Sequence, residues 1–236
     1  MKILKYIYNL RSFKNIRNYI RTKKLLGKSF GQLNDISEEG LLLDKFILEN
    51  KFQTILEIGT WNGLGSTKTI IDALKKQNNT SAEFYSIESD RIAFNNATKN
   101  LRNENVRLLY GRIIEIDDLP KLKDINFEYF GLDPKNTEWF HQDIRRYKKT
   151  KNVFLSIPTT FDFILFDGGE FSTFAEFKNL WTKTKYFALD DTKTYKQYEV
   201  LKFINQNIKK FNLVYDLPNF SIYKVINWKV LIRFTL

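Results

Sequence analysis

Cysteine is absent from this 236-residue chain, and histidine occurs once. Without cysteine there are no disulfides, thiolate nucleophiles or cysteine zinc sites. The single histidine leaves His141 as the only imidazole available as a base or acceptor ligand. No apolar run approaches the roughly 18 residues of a membrane-spanning helix, and no signal-peptide core is visible. The expectation is a cytoplasmic protein, peripheral on the inner membrane face at most. Repeats and low-complexity linkers are missing too, so the chain reads as one domain with additions. Its 43% hydrophobic content is an ordinary globular share, which excludes global disorder.

Acidic residues are missing from positions 1–30, which carry nine cations: Lys2, Lys5, Arg11, Lys14, Arg17, Arg21, Lys23, Lys24 and Lys28. Most of the net charge of +11 therefore sits in this extension, ahead of a nearly neutral body at 31–236. Ile3, Tyr6, Ile7, Leu10, Phe13, Ile16 and Ile20 recur there at helical spacing. A basic amphipathic helix of this kind can lie on an anionic membrane surface, each cation contributing on the order of 1 kcal/mol. A helix docked on the domain with its basic face merely solvated is the reading weighed first, ahead of membrane contact, and nucleic acid is the least favoured partner. The heavy use of Lys, Asn, Ile and Phe throughout suggests an A/T-rich genome, which raises basic counts without any partner.

What is present is an alternation of strands and helices. Ile55-Leu-Glu-Ile-Gly-Thr-Trp-Asn-Gly-Leu-Gly-Ser66 runs from an apolar strand through a glycine-rich turn into a helix. Glycine lets a backbone approach a ligand closely, and a helix start offers unpaired N–H groups. Phe84-Tyr-Ser-Ile-Glu88 is a second strand ending in an acid, 23 positions after Gly65, where a carboxylate can accept from both hydroxyls of a ribose. Phe161–Asp167 and Tyr186–Asp190 repeat the design, and acids at the carboxyl ends of parallel strands face one crevice. The spacing predicts helices over 37–49 (with Leu41, Leu42, Phe46 and Ile47 on one side), 64–76, 91–101, 172–182 and 194–208. It predicts strands over 53–58, 84–88, 106–110, 161–167 and 186–190, and a terminal hairpin of 211–215 and 220–225 around Asp216-Leu-Pro-Asn219. About 115–156 is an insertion before the fourth strand, with Phe127, Tyr129, Phe130, Trp139, Phe140, His141 and Tyr147 among Asp133, Lys135, Arg145 and Arg146. It is either an acceptor lid or a helical subdomain packing its own aromatics.

Glu57, then Gly59, a three-residue gap, Gly63 and Ser66 resemble motif I of class I S-adenosylmethionine-dependent methyltransferases. The glycine spacing differs from the G-x-G-x-x-G of dinucleotide sites. The resemblance covers roughly residues 37–226 and implies an α/β fold: a doubly wound Rossmann-like sheet closed by a C-terminal antiparallel hairpin. It implies S-adenosylmethionine held by Glu57, Gly59, Thr60, Gly63, Gly65 and Ser66 around the methionine end. Glu88 would hold the ribose, Ile87, Ser89, Gly111 and Arg112 would lie near the adenine, and Asp167 would border the site. Asp167 with Asp190 and Asp191 resembles the Mg²⁺ site of metal-dependent O-methyltransferases, although Asp190-Asp191 could instead cap the following helix. Similar enzymes often show Asp-Gly-x-His where this chain has Asp167-Gly-Gly-Glu170, so Glu170, Asp167 and His141 are the candidate catalytic groups. No Asn-Pro-Pro-Tyr motif follows strand four, which favours oxygen over nitrogen as the methyl acceptor. The expected activity is O-methyl transfer to a small-molecule or glycan hydroxyl, a bacterial surface-polysaccharide precursor being the acceptor to test first. An RNA methyltransferase, a nicotinamide-dependent oxidoreductase and a non-catalytic membrane-associated scaffold are the alternatives. The oligomeric state is not legible.

Overall fold

The structure is a computed structural model that describes residues 33–126 and 134–228. The basic segment 1–30 and Phe127, Tyr129, Phe130 and Asp133 lie outside the described residues. Seven strands form one sheet: β1 (Thr54–Ile58), β2 (Glu83–Glu88), β3 (Arg107–Tyr110), β4 (Phe161–Phe166), β5 (Thr184–Asp190), β6 (Phe211–Leu217) and β7 (Phe220–Val225). Their spatial order is β3-β2-β1-β4-β5-β7-β6. The first five are parallel, while β7 runs antiparallel to both β5 and β6. The order reverses at β1, so a crevice opens above the carboxyl ends of β1 and its neighbours, where open parallel sheets bind ligands.

Alternating side chains send the two faces of each strand into separate cores. Ile55, Phe84 and Phe163 pack with Ile47 of α1 (Glu38–Asn50) and with Ile70 and Leu74 of α2 (Ser66–Lys76). Leu56, Ile164 and Phe187 pack on the other face with Phe177 of α5 (Thr173–Leu180) and with Val200 and Ile204 of α6 (Tyr195–Gln206). Two further helices, α3 (Arg91–Asn100) and α4 (Pro134–Lys149), complete the set used below. Ser37 caps α1 by accepting from the Gly40 N–H at 3.1 Å, and Asp90 caps α3 by accepting from Ile92 and Ala93.

The expected doubly wound sheet and its antiparallel hairpin are both present. Local differences have local causes. Leu41 is 55% exposed, because the buried stripe of α1 runs through Leu43, Phe46 and Ile47 instead. The hairpin turn shrinks to Pro218-Asn219, since pairing continues to Leu217 opposite Phe220. The described part of the insertion is α4 with short 3-10 turns at 116–118, 122–124 and 154–156. Arg112 ties the insertion to the sheet: its backbone N–H donates to Lys151 O at 3.0 Å, and its carbonyl accepts from Val153 at 2.7 Å.

Candidate active site

The glycine-rich loop is held from beneath by an acid. Glu57 is fully buried, and its carboxylate accepts from the hydroxyls of Ser66 at 2.5 Å, Thr67 at 2.6 Å and Ser86 at 2.5 Å. Thr60 bonds the same Ser86 hydroxyl at 2.5 Å. Burial raises the Glu57 carboxyl to about 7 against the pull of those three donors. Glu57 shares a strand face with Ile55, which points it under the start of α2 rather than onto the crest of the sheet. Glu57, Thr60, Gly63, Gly65 and Ser66 thus shape the loop without reaching the cavity wall. Gly59 does reach it. Its φ is +101°, and a Cβ there would lie 2.0 Å from the Asp167 carbonyl oxygen, so only glycine lets the turns after β1 and β4 meet.

Beside Gly59 lies a cavity of about 650 Å³, within the range of small-molecule and cofactor sites. Its wall includes Ile87, Glu88, Ser89, Gly111, Arg112 and Asp167, six residues the sequence pointed to. Glu88 accepts from the N–H groups of Trp61 at 2.7 Å and Asp90 at 2.6 Å. A carboxylate has about four lone-pair sites, so it retains capacity for a ligand's hydroxyls. Burial pushes Glu88 up to about 7, and the two backbone donors oppose that shift. The Arg112 guanidinium is directed into the protein, donating to Ile114 O at 2.9 Å and to Thr150 O. It braces the insertion while the residue lines the wall.

Helix α4 adds wall residues that sequence reasoning did not single out as a set: Asp143, Arg146 and Tyr147. Their spacing of three and four places them on one helical face, which is the signal that was available. Arg146 bridges Asp143 at 3.2 Å and Asp90 at 3.2 Å, joining the insertion to the start of α3. The Tyr147 hydroxyl donates to Glu176 of α5, itself 1% exposed and raised by burial to about 7. Of the inserted aromatics, Phe140 packs edge-on against Phe171, and Trp139 is 47% exposed. His141 is exposed and off the wall. Glu170 lies beside the wall, where it accepts from the Lys196 N–H at 3.2 Å.

The acids of β4 and β5 do converge. Oxygens of Asp167, Asp190 and Asp191 lie within 4.8 Å of one another, and all three residues border the cavity. Asp190-Asp191 does not cap α6, whose N-cap is Thr194. Asp191 turns the chain at φ +57°, and Gln197 bonds the carbonyls of Phe166 and Asp190, bracing the ends of β4 and β5. The residue missed here is Lys196, in the first turn of α6. Its Nζ donates to Asp167 Oδ1 at 2.7 Å and Asp191 Oδ2 at 2.8 Å, and the side chain is 8% exposed. Burial disfavours its charge, but the carboxylates of Asp167, Asp191 and Asp190 outweigh that and hold the ammonium firmly protonated. Burial and the Asp167 charge raise Asp190 to about 9. The donor set therefore does not fit Mg²⁺ as it stands. A hard octahedral cation needs several carboxylate oxygens facing it, and the Lys196 ammonium already holds one oxygen each of Asp167 and Asp191, so Mg²⁺ would have to displace it.

Compared by sequence, the chain matches no family model and no curated protein. Compared by structure, it is similar to a Klebsiella pneumoniae protein designated an O-methyltransferase (14% identity, TM-score 0.53, 89% of this chain and 88% of that one). It is also similar to an O-methyltransferase from Bacillus cereus in complex with S-adenosylhomocysteine (14%, 0.52, 95% and 97%). A third similar structure is the O-methyltransferase TomG from Streptomyces achromogenes, involved in tomaymycin synthesis, in complex with S-adenosylmethionine (14%, 0.51, 82% and 82%). The strand order, the antiparallel β7 and the crevice above β1 are those of one architecture: this chain has the class I S-adenosylmethionine-dependent methyltransferase fold.

Proposed function

We propose that the protein is an S-adenosylmethionine-dependent O-methyltransferase acting on a small-molecule or sugar hydroxyl. The observation that carries this reading is the cavity at the crest of the sheet. There Gly59 offers bare backbone and Glu88, at the end of β2, offers free acceptor capacity, in a fold whose similar structures hold S-adenosylmethionine or S-adenosylhomocysteine. When bound, S-adenosylmethionine supplies an electrophilic methyl group, whose bond to sulfur breaks as a bond to the acceptor oxygen forms. Glu88 would accept from the ribose hydroxyls of the bound cofactor, and the bare backbone at Gly59 would allow its close approach. Arg146 and Tyr147 contribute the α4 side of the wall. Asp167, the candidate base that lies on the wall, takes the acceptor's hydroxyl proton while Lys196 holds its carboxylate in place. Positioning of this kind accounts for much of an in-line displacement.

Magnesium assistance, expected from the acidic cluster, is left out of this reading because Lys196 engages the same carboxylates. A surface-polysaccharide precursor remains the acceptor to test first, on the strength of the basic extension and the aromatic insertion. Among the described residues no helix is long and apolar enough to cross a membrane, and contact with an anionic membrane surface through residues 1–30 is part of the proposal. Calorimetry with S-adenosylhomocysteine and NAD tests the cofactor; the expected result is binding of the first and none of the second. Preference for NAD would replace the reading with an oxidoreductase. Mass spectrometry of a sugar and small-molecule acceptor panel, looking for a gain of one methyl group, tests the reaction.

A further inference from the structure

We infer that the Lys196 ammonium is the resident cation of the Asp167–Asp190–Asp191 cluster, bridging Asp167 and Asp191 so that a divalent metal would have to displace it, and that the site works without one. The inference deepens the methyltransferase reading and rests on it. Three observations carry it. The ammonium lies 2.7 Å from Asp167 Oδ1 and 2.8 Å from Asp191 Oδ2, bridging the turns after β4 and β5. The side chain is 8% exposed, so it is packed in place rather than reaching in from solvent. Its backbone is anchored on both sides: the Lys196 N–H donates to Glu170, and the neighbouring Gln197 amide bonds the carbonyls of Phe166 and Asp190. A lysine fixed at the first turn of a braced helix cannot leave the cluster without breaking these contacts or rotating its stem out of the core.

The physical consequence is a choice of cation. Acidic oxygens converging within 4.8 Å repel one another wherever they are ionised, and Asp167 and Asp191 require positive charge between them. An ammonium supplies one charge through hydrogen-bond geometry and engages one oxygen each of Asp167 and Asp191. Mg²⁺ demands near-ideal octahedral oxygen coordination, so it must first expel the ammonium and then tolerate a second cation nearby. Lys196 is thus a positioning residue: it orients the Asp167 carboxylate at the cavity wall and balances the charge of the cluster. Arginine is the conservative replacement, because it keeps the charge and two donors.

The test is calorimetric titration of the intact protein with MgCl₂ and MnCl₂, with S-adenosylhomocysteine titrated into the same samples. Wild type and Lys196→Arg should show no saturable metal binding at millimolar concentrations. Lys196→Met, which keeps the length of the stem but removes the charge, should bind Mn²⁺ at least about tenfold more tightly than wild type. Chelation should leave wild-type S-adenosylhomocysteine affinity unchanged. Saturable sub-millimolar Mg²⁺ or Mn²⁺ binding by the wild type would overturn the inference, whether or not Lys196→Met folds. Failure of S-adenosylhomocysteine to bind would instead sink the cofactor reading and is seen in a separate titration.

Discussion

Glu88 is the single residue on which the proposed ligand reading turns. Its carboxyl is desolvated and raised to about 7, yet it faces a cavity and already holds the loop through the Trp61 and Asp90 amides. The ionised form accepts hydrogen bonds from ribose hydroxyls better than the neutral form does. S-adenosylhomocysteine affinity should therefore rise as pH increases from about 6 to about 8, and Glu88→Gln should bind more weakly with a flatter profile. Isothermal titration at several pH values checks this. An unchanged profile in the variant would mean another group sets the pH dependence. Glu57, on β1 two positions before Gly59, illustrates the opposite fate. It has the same residue type and the same carboxyl value of about 7, but its oxygens are spent on Ser66, Thr67 and Ser86.

At the scale of elements, α4 is what turns an open crevice into a cavity. It contributes wall residues on one face, packs Phe140 against Phe171, and pins itself to α5 through the buried Tyr147–Glu176 hydrogen bond. Removing only the hydroxyl leaves a buried carboxyl short of a donor, a loss of about 1–3 kcal/mol. Tyr147→Phe should accordingly lower the urea unfolding free energy by that amount. Combining it with Glu176→Gln should cost less than the sum of the two single changes, because the pair is coupled. Additive costs would show that the two groups do not act together. The sequence showed an aromatic-rich insertion here. What it did not show is that the wall-forming contribution comes mainly from a charged face, Asp143 and Arg146, rather than from the exposed Trp139.

Across the whole molecule, three buried carboxyls share one electrostatic tendency. Glu57, Glu88 and Glu176 each titrate near 7 in the folded protein, against an ordinary value of 4.5. The folded state therefore holds more protons than the unfolded state between about pH 4.5 and 7. Their contribution to stability is fully present below 4.5 and is lost as pH rises through 7. Glu104 works the other way: its hydrogen bond to Lys75, against burial, holds it low, and its contribution fades only below its ordinary value. Denaturation midpoints should be higher at pH 5.5 than at pH 8 in the absence of ligand, with a smaller difference in Glu57→Gln. A midpoint that rises with pH would contradict the assignment. The other whole-molecule feature is charge asymmetry. Residues 1–30 lie outside the described residues, and their nine cations are proposed to act at an anionic membrane surface. The truncated protein should keep its thermal midpoint and cofactor affinity but lose salt-sensitive sedimentation with anionic vesicles. Unfolding on truncation would make the segment structural.

By itself the sequence determined the order of strands and helices, the terminal hairpin, and the placing of acids at the carboxyl ends of β2, β4 and β5. These rest on short-range signals: the two- and 3.6-residue periods, a glycine turn after an apolar run, and an acid closing each strand. Glu88, Asp167 and Asp190 were legible for that reason, because a strand end in a parallel sheet has one address. The tertiary structure decided what depends on partners far away in the chain. It set Glu57 under three hydroxyls from two elements, turned the Arg112 guanidinium onto Thr150, and gathered Asp143 and Arg146 at the cavity. Above all it put the Lys196 ammonium between Asp167 and Asp191, 29 and 5 positions away. No local pattern specifies where a flexible four-carbon stem ends, and packing alone selects the carboxylates it meets.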